Sequence, residues 1–176
     1  MPRTLITTAS GVHAIPLAEF AAMSMLLHSR RGLHMMKEQT SKRWERFSGT
    51  DLSERTVLII GLGSVGSEVA RISKAFRMRV LGIRRDPKLS TGDSIIESVS
   101  RLDSLHNLLP QVDFLILAAP QTTETEQLIG KRELQALPKG AVLINLARGA
   151  LVDEPALIDA LQSGHIGGAY LDVFST

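Results

Sequence analysis

The sequence predicts a doubly wound, parallel α/β sheet, and three observations carry that prediction. Short apolar runs alternate with helical patterns along most of the chain. The run Val57 to Ile60 enters Gly61-x-Gly63-x-x-Gly66, which then opens a helical pattern through Phe76. Further apolar runs recur at 79–83, 113–119, 141–147 and 168–174, several closed by a proline or a glycine. Strands and helices alternating in this order imply parallel strands joined by helical crossovers.

In chain order, Met1 to Val12 carries too little pattern to stand as a domain. Ile15-Pro16 opens a helix running through Phe20, Met23 and Leu27 to Arg31, where Gly32 can stop it. Alanine, methionine and leucine occupy nearly every side of this helix, so it is expected to be covered on more than one face. It is either a core helix or one packed between domains or subunits. His34 to Glu54 is polar and reads as a connecting excursion, pinned to the body by Trp44 and Phe47. Ser94 to Val99 suits a short edge strand, and Leu102 to Leu109 a short helix stopped by Pro110. Lys131 to Leu137 is a further helix, before the turn Pro138-Lys139-Gly140. Asp153 can cap a helix from Glu154 to Gln162, with Gly164 as its stop.

Composition narrows the class. The chain has 176 residues, 44% apolar and 22% charged, which suits one globular domain with a full core. A net charge of +2 and only 4% aromatic residues argue against nucleic acid as a partner. With no cysteine there is no disulfide framework, thiolate nucleophile or thiolate metal site, which suits the cytoplasm. The most apolar early segment, Ala14 to Leu27, is interrupted by Glu19 and too short to span a bilayer. It does not match a signal peptide either.

The glycine motif has a mechanical reading. Gly61 permits a tight turn off the strand, Gly63 lets a pyrophosphate approach the backbone, and Gly66 lets the helix lie close to the strand. Backbone N–H groups near Ser64 and Val65, at the positive end of the helix, would bind the phosphates of a dinucleotide. The expected architecture is therefore Rossmann-like. Ligands of such sheets bind beyond the carboxyl ends of the strands, where Gly61–Gly66, Arg84, Pro120, Arg148 and Asp172 all fall. The residue ending the second strand selects between NAD and NADP. That place falls at Arg84, followed by Arg85, and a guanidinium suits a 2′-phosphate, so NADP is favoured over NAD. Both arginines could instead face solvent, and Asp86 could take the ribose hydroxyl if the turn shifts.

Four stretches together resemble the D-isomer-specific 2-hydroxyacid dehydrogenases, which include glyoxylate/hydroxypyruvate reductases and phosphoglycerate dehydrogenases. They are Gly61-Leu-Gly-Ser-Val-Gly66, Ala119-Pro120 with Thr125, the block Leu143 to Glu154, and Gly168-Ala-Tyr-Leu-Asp-Val-Phe174. The resemblance runs over nearly the whole chain. It implies that the cofactor contacts Ser64, Val65, Arg84, Ala119, Pro120, Leu146, Ala147 and Asp172, with Thr125 close by. Asp172 would hold the nicotinamide carboxamide. Arg148 would be the substrate arginine, gripping the carboxylate and keto oxygen of a 2-oxo acid; physically, a guanidinium there can stabilise charge developing on that oxygen. A structural ion pair of Arg148 with Asp153 or Glu154 is the alternative.

The family pairs that arginine with a glutamate soon after the Leu-Asp-Val-Phe segment and with a later histidine. The sequence stops at Thr176, where the glutamate would be due. None of His13, His28, His34, His106 and His165 suits the acid–base role: His165 sits in a turn after a helix, His13 and His28 belong to the N-terminal segment, and His34 and His106 have no carboxylate partner at a telling spacing. Residues 1–14 then read as a remnant of a connection to a substrate domain, and 15–176 as an NAD(P)-binding domain truncated at its C-terminus. Such a chain is expected to bind cofactor yet catalyse little, and to form a homodimer through the helix Pro16 to Arg31. A second reading is a nicotinamide-sensing binding protein on the same fold, like the corepressors related to these enzymes. The block Asn145 to Glu154 disfavours an unrelated Rossmann oxidoreductase.

Overall fold

β1 (Thr56–Ile60) is buried along its whole length, which is why its sequence is an unbroken apolar run rather than an alternating one. The computed structural model describes residues 7, 9, 11–90 and 94–175. Among them six strands form one parallel sheet, in the order β3-β2-β1-β4-β5-β6. β2 (Arg79–Ile83) and β4 (Phe114–Leu117) flank β1. β5 (Val142–Asn145) follows β4, while β3 (Ser98–Ser100) and β6 (Gly168–Leu171) form the edges.

The two-residue period of the strands divides the core into two layers. Leu58, Ile60, Leu81, Leu115 and Leu143 pack on one face with Leu134 of α5 (Lys131–Ala136) and Leu157 of α6 (Glu154–Gln162). Val57, Ile59, Val80, Ile116 and Ile144 pack on the other face with α1 (Ala14–Ser29) and α3 (Ser64–Ala75). Helices on both faces make the sheet doubly wound, as its sequence predicts. Each fully buried leucine or isoleucine in these layers contributes about 1.5–3 kcal/mol of transfer free energy.

α1 meets the core through Ala18, Ala21 and Met25, small or pliable residues that let it lie close to Val69 and Ala70 of α3. Its other side is open, with Ile15, Met23 and Leu26 exposed. Within this chain, then, α1 is covered on one face only. α1 ends at Ser29 with Arg30 as its C-cap, short of Arg31, and Gly32 does not act as its stop. Arg31 takes the left-handed conformation (φ 54°), and α2 (Gly32–Thr40) starts immediately, so the stretch read as an excursion begins with a second helix. Gly32 is buried, and a Cβ there would run into Leu27.

Only one of the two expected aromatic pins is present. Phe47 lies 5.1 Å beneath the Arg31 guanidinium and edge-on to His34 at 4.9 Å, whereas Trp44 is 92% exposed. Backbone does the rest, since Thr50 N–H donates to the Ser29 carbonyl at 2.8 Å. The edge strand lies later than the sequence suggests, at Ser98–Ser100, because the Glu97 amide already bonds the Val80 carbonyl and fixes the register there. Pro110 sits inside a 3-10 turn, Leu109–Gln111, that continues α4 (Leu105–Leu108), and does not end it. Asp153 caps α6 as expected, its carboxylate accepting the Ala156 N–H at 3.1 Å. The expectation for residues 1–14 falls largely outside the described residues. Among those described, no helix is long and apolar enough to cross a membrane.

His28 of α1 is half-buried, its ring edge-on to Phe114 and Tyr170 at 6.4 and 6.3 Å, and burial lowers its pKa below the usual histidine value. The folded chain therefore binds a proton here less readily than the unfolded one, and stability is lost as pH falls below the unfolded value of about 6.5. Thermal unfolding followed from about pH 8 down to pH 5 should show a falling midpoint. His28→Leu should flatten part of that fall, and an unchanged slope in the variant would count against this assignment.

Candidate dinucleotide site

The strand order reverses direction beside β1, so the connections leaving β1 and β4 diverge and open a crevice at their carboxyl ends. The glycine turn fills one wall of it. Gly61 donates its N–H to the Ile83 carbonyl at 2.8 Å and turns with φ +100°, a left-handed conformation that side chains rarely adopt. A Cβ on Gly61 would also lie 2.5 Å from the Ala119 nitrogen. A Cβ on Gly66 would collide with the Gly61 carbonyl oxygen, so α3 can start this close to β1 only with glycine there. Gly63 differs, for nothing among the described residues lies within 4 Å of its Cβ position. On that side its backbone is clear of the described residues. Among the described residues no side chain caps the start of α3, so none of them gives the first amides, at Ser64 and Val65, a side-chain acceptor at the positive end of a 12-residue helix.

The crevice is a cleft of about 420 Å³. Of the residues singled out from sequence, it brings together Gly61, Gly63, Arg84, Arg85, Ala119, Pro120 and Thr125. Ile60, Ile83 and Leu102 give it an apolar floor. Arg84 directly follows β2, and its N–H donates to the Ser100 carbonyl at 3.1 Å, so the end of β2 is held against the end of β3. Asp86 also lines the cleft, with one carboxylate oxygen accepting the Lys88 N–H at 3.1 Å in a local turn. The Thr125 hydroxyl serves the loop: it donates to the Pro120 carbonyl and accepts the Thr122 N–H, both at 2.8 Å. A larger depression of about 630 Å³ lies between α2 and residues 43–49, away from the strand ends, and none of the sequence-predicted site residues lines it.

Leu146, Ala147, Arg148 and Asp172 lie further along the same sheet edge and do not line the cleft. Backbone bonds tie them into it. Leu146 N–H donates to the Leu117 carbonyl, and Asp172 N–H to the Asn145 carbonyl, both at 3.0 Å. Arg148 and Asp172 are exposed, whereas Leu146 and Ala147 are buried. The ion pair weighed for Arg148 does not form. Asp153 caps α6, and Glu154 accepts the Ser175 N–H at 2.7 Å, a bond that holds its carboxyl below the usual range. Arg148 instead donates from one guanidinium nitrogen to the Ala147 carbonyl at 2.6 Å, leaving other donors of its fork for a ligand.

Two residues of consequence escaped sequence reasoning. Asn145 ends β5 with 1% exposure, its amide donating to the Arg148 carbonyl at 2.9 Å and its oxygen accepting the Ala147 N–H at 3.0 Å. It therefore sets the backbone that carries Arg148. A polar amide ending an apolar strand was the available signal. Arg101, which follows β3, lines the cleft with Arg84 and Arg85. Among the histidines, His106 does have a carboxylate partner, Glu133 at 3.0 Å, brought near by the fold rather than by sequence spacing. His165 contacts the Leu134 carbonyl at 3.0 Å, a structural bond. Among the described residues, no group of three His, Asp or Glu could hold a metal ion.

Fold and glycine cradle together define a dinucleotide-binding domain of the Rossmann class. Comparison with known proteins makes the class specific. Residues 22–176 match the family model described as D-isomer specific 2-hydroxyacid dehydrogenase, NAD binding domain, and the chain belongs to that family. It is 38% identical over 178 residues to a glyoxylate reductase of Thermococcus gammatolerans, covering 96% of this chain and 52% of that protein. It is 33% identical to a D-3-phosphoglycerate dehydrogenase of Methanocaldococcus jannaschii, covering 97% of this chain and 32% of that one. The chain thus spans about half of the first relative's length and about a third of the second's. Among solved structures, a D-isomer specific 2-hydroxyacid dehydrogenase of Xanthobacter autotrophicus in complex with NADPH and MES is similar, with a TM-score of 0.87. That likeness holds at 33% identity over 99% of this chain and 72% of that one.

Replacing Asn145 with alanine should cost about 1–3 kcal/mol of stability, because the buried Ala147 N–H loses its acceptor. Urea denaturation measures this, and an unchanged unfolding free energy would show that the amide is dispensable.

Proposed function

We propose that this chain serves an oxidoreductase that moves hydride between a nicotinamide dinucleotide and a 2-oxo or 2-hydroxy acid. The carrying observation is the start of α3, uncapped by any described side chain and directly after the backbone of Gly63, a phosphate cradle at the mouth of the cleft. Ser64 and Val65 would donate backbone N–H groups to the pyrophosphate. Ala119 and Pro120 would line the cofactor's path, with Thr125 shaping their loop and Leu146 and Ala147 further along the sheet edge. Asp172 would accept from the nicotinamide carboxamide. The dinucleotide, when bound, supplies or takes the hydride. Arg148 would orient the substrate's carboxylate and stabilise negative charge on the reacting oxygen, held at its station by Asn145. Residues 15–176 form the cofactor domain in this reading, residues 1–14 belong to a connection towards a substrate domain, and the cysteine-free composition suits a cytoplasmic enzyme.

The preferred cofactor in this proposal is NADP. Arg84 and Arg85 stand at the end of β2, where charge-assisted bonds to a 2′-phosphate would form. Titration calorimetry should find NADPH bound about 10- to 100-fold more tightly than NADH, in line with one or two such bonds. Replacing Arg84 and Arg85 with alanine should erase the difference. Equal affinities in the unaltered chain would reject the preference.

The proposed partner is a second copy of the chain. The open side of α1 exposes Ile15, Met23 and Leu26, and α2 adds Leu33, Met35 and Met36, an apolar surface whose covering would be favourable. Sedimentation at micromolar concentration should give a dimer, and Met23→Glu with Leu26→Glu a monomer. A monomeric unaltered chain would contradict the assignment.

A further inference from the structure

We infer that Glu154 is a positioning residue that clamps the segment after β6 to the turn after β5, and so aims Asp172 at the nicotinamide carboxamide. The inference rests on the reading that Asp172 accepts from that carboxamide, and it names what keeps Asp172 in place. β5 and β6 run side by side with Asn145 opposite Leu171, so Arg148 and Asp172 leave adjacent strands. Three ties then hold residues 172–175 against the turn 145–154. At the near end, the Asp172 N–H donates to the Asn145 carbonyl at 3.0 Å. In the middle, a Cβ on Gly149 would collide with the Phe174 carbonyl carbon and the Ser175 nitrogen, so the two backbones touch where only glycine fits. At the far end, the Ser175 N–H donates to the Glu154 carboxylate at 2.7 Å.

Its own helix places Glu154 for this task. It is the first residue of α6, directly after Asp153, whose carboxylate already caps the helix by accepting the Ala156 N–H at 3.1 Å. Glu154 is thereby released to bond outside α6, and its ionised carboxylate makes the bond to Ser175 a charge-assisted one. Asp172 is exposed, and an exposed side chain is aimed by the backbone beneath it. With the far end freed, the segment can pivot about the Asp172 N–H bond, and the origin of the Asp172 side chain moves with it. Hydrogen bonds weaken steeply with distance and angle, so a small shift there costs the contact with the carboxamide. Neither Glu154 nor any residue from 172 to 175 lines the cleft at the ends of β1 and β2. Loss of the clamp is therefore felt at the nicotinamide end of the cofactor and not at the phosphates. A tie that served the fold alone would cost folding stability, or weaken every part of the dinucleotide alike.

The test measures by calorimetry the binding of NADPH and of 2′-phospho-ADP-ribose, the corresponding fragment without the nicotinamide. Four chains are compared: the unaltered one, Glu154→Ala, Glu154→Gln and Asp172→Ala, each checked for folding by thermal unfolding. The unaltered chain should bind NADPH more tightly than the fragment, and Asp172→Ala should erase that margin. Glu154→Ala should shrink the margin roughly 3- to 10-fold and leave the fragment's affinity unchanged. Glu154→Gln should restore most of it, because its amide oxygen can accept the same N–H. If Glu154→Ala leaves the margin intact, or weakens both ligands equally, the inference is overturned. The reading of Asp172 survives that failure if Asp172→Ala still erases the margin. If the unaltered chain binds the two ligands equally, the reading and the inference fall together.

Discussion

The contact on which this structure depends is that between the start of α3 and the end of β1. Gly66 lies so close to the Gly61 carbonyl that no side chain fits between them, and Gly61 lies as close to the backbone of Ala119. These approaches draw the helix, the central strand and the loop after β4 into one corner. The start of α3 then follows directly on Gly63, which lines the crevice opened where the strand order reverses. Any side chain at Gly66 would lift the helix away, and the phosphate cradle with it. The rest of the core supports that corner, with two apolar layers gripping β1 from both faces.

Sheet register distributes the chemistry along one edge. The residues after β2 and β3 bring cations to one end of the cleft, while those after β5 and β6 bring Arg148 and Asp172 to the same side of the sheet. The β5 end is the most tightly specified of these. Asn145, buried in apolar surroundings, spends its amide on two backbone groups and leaves Arg148 exposed. A buried side chain that holds an exposed one gives the arginine a defined origin without fixing its fork. Family membership agrees with this division of labour, since the chain matches the NAD binding domain of D-isomer specific 2-hydroxyacid dehydrogenases over 22–176.

Much of this was legible in the sequence because the signals were local. A run such as Val57 to Ile60 is apolar because both its faces are buried, and the glycine spacing reports close approaches that no other residue permits. Asp153 could be read as a cap from its place before a helical pattern. The misses depended on distant contacts or on backbone conformations rare for their residue type. Nothing near Trp44 in sequence says that it lies exposed, and the left-handed turn at Arg31 that starts α2 is an exception for a non-glycine residue. His106 meets Glu133 only because α5 lies against the turn Leu109–Gln111 that continues α4. Arg101 joins Arg84 only because β3 pairs with β2 in one particular register.

The most direct test of the central claim is the amide NMR spectrum of the chain as NADPH is added. Binding in the cradle predicts that the largest shifts fall on the N–H groups of Gly63, Ser64, Val65 and Gly66, with smaller ones at Ala119. If the largest shifts fell instead on Met35, Trp44 and Phe47, beside the depression at α2, the glycine turn would be structural only and the site would have to be placed elsewhere.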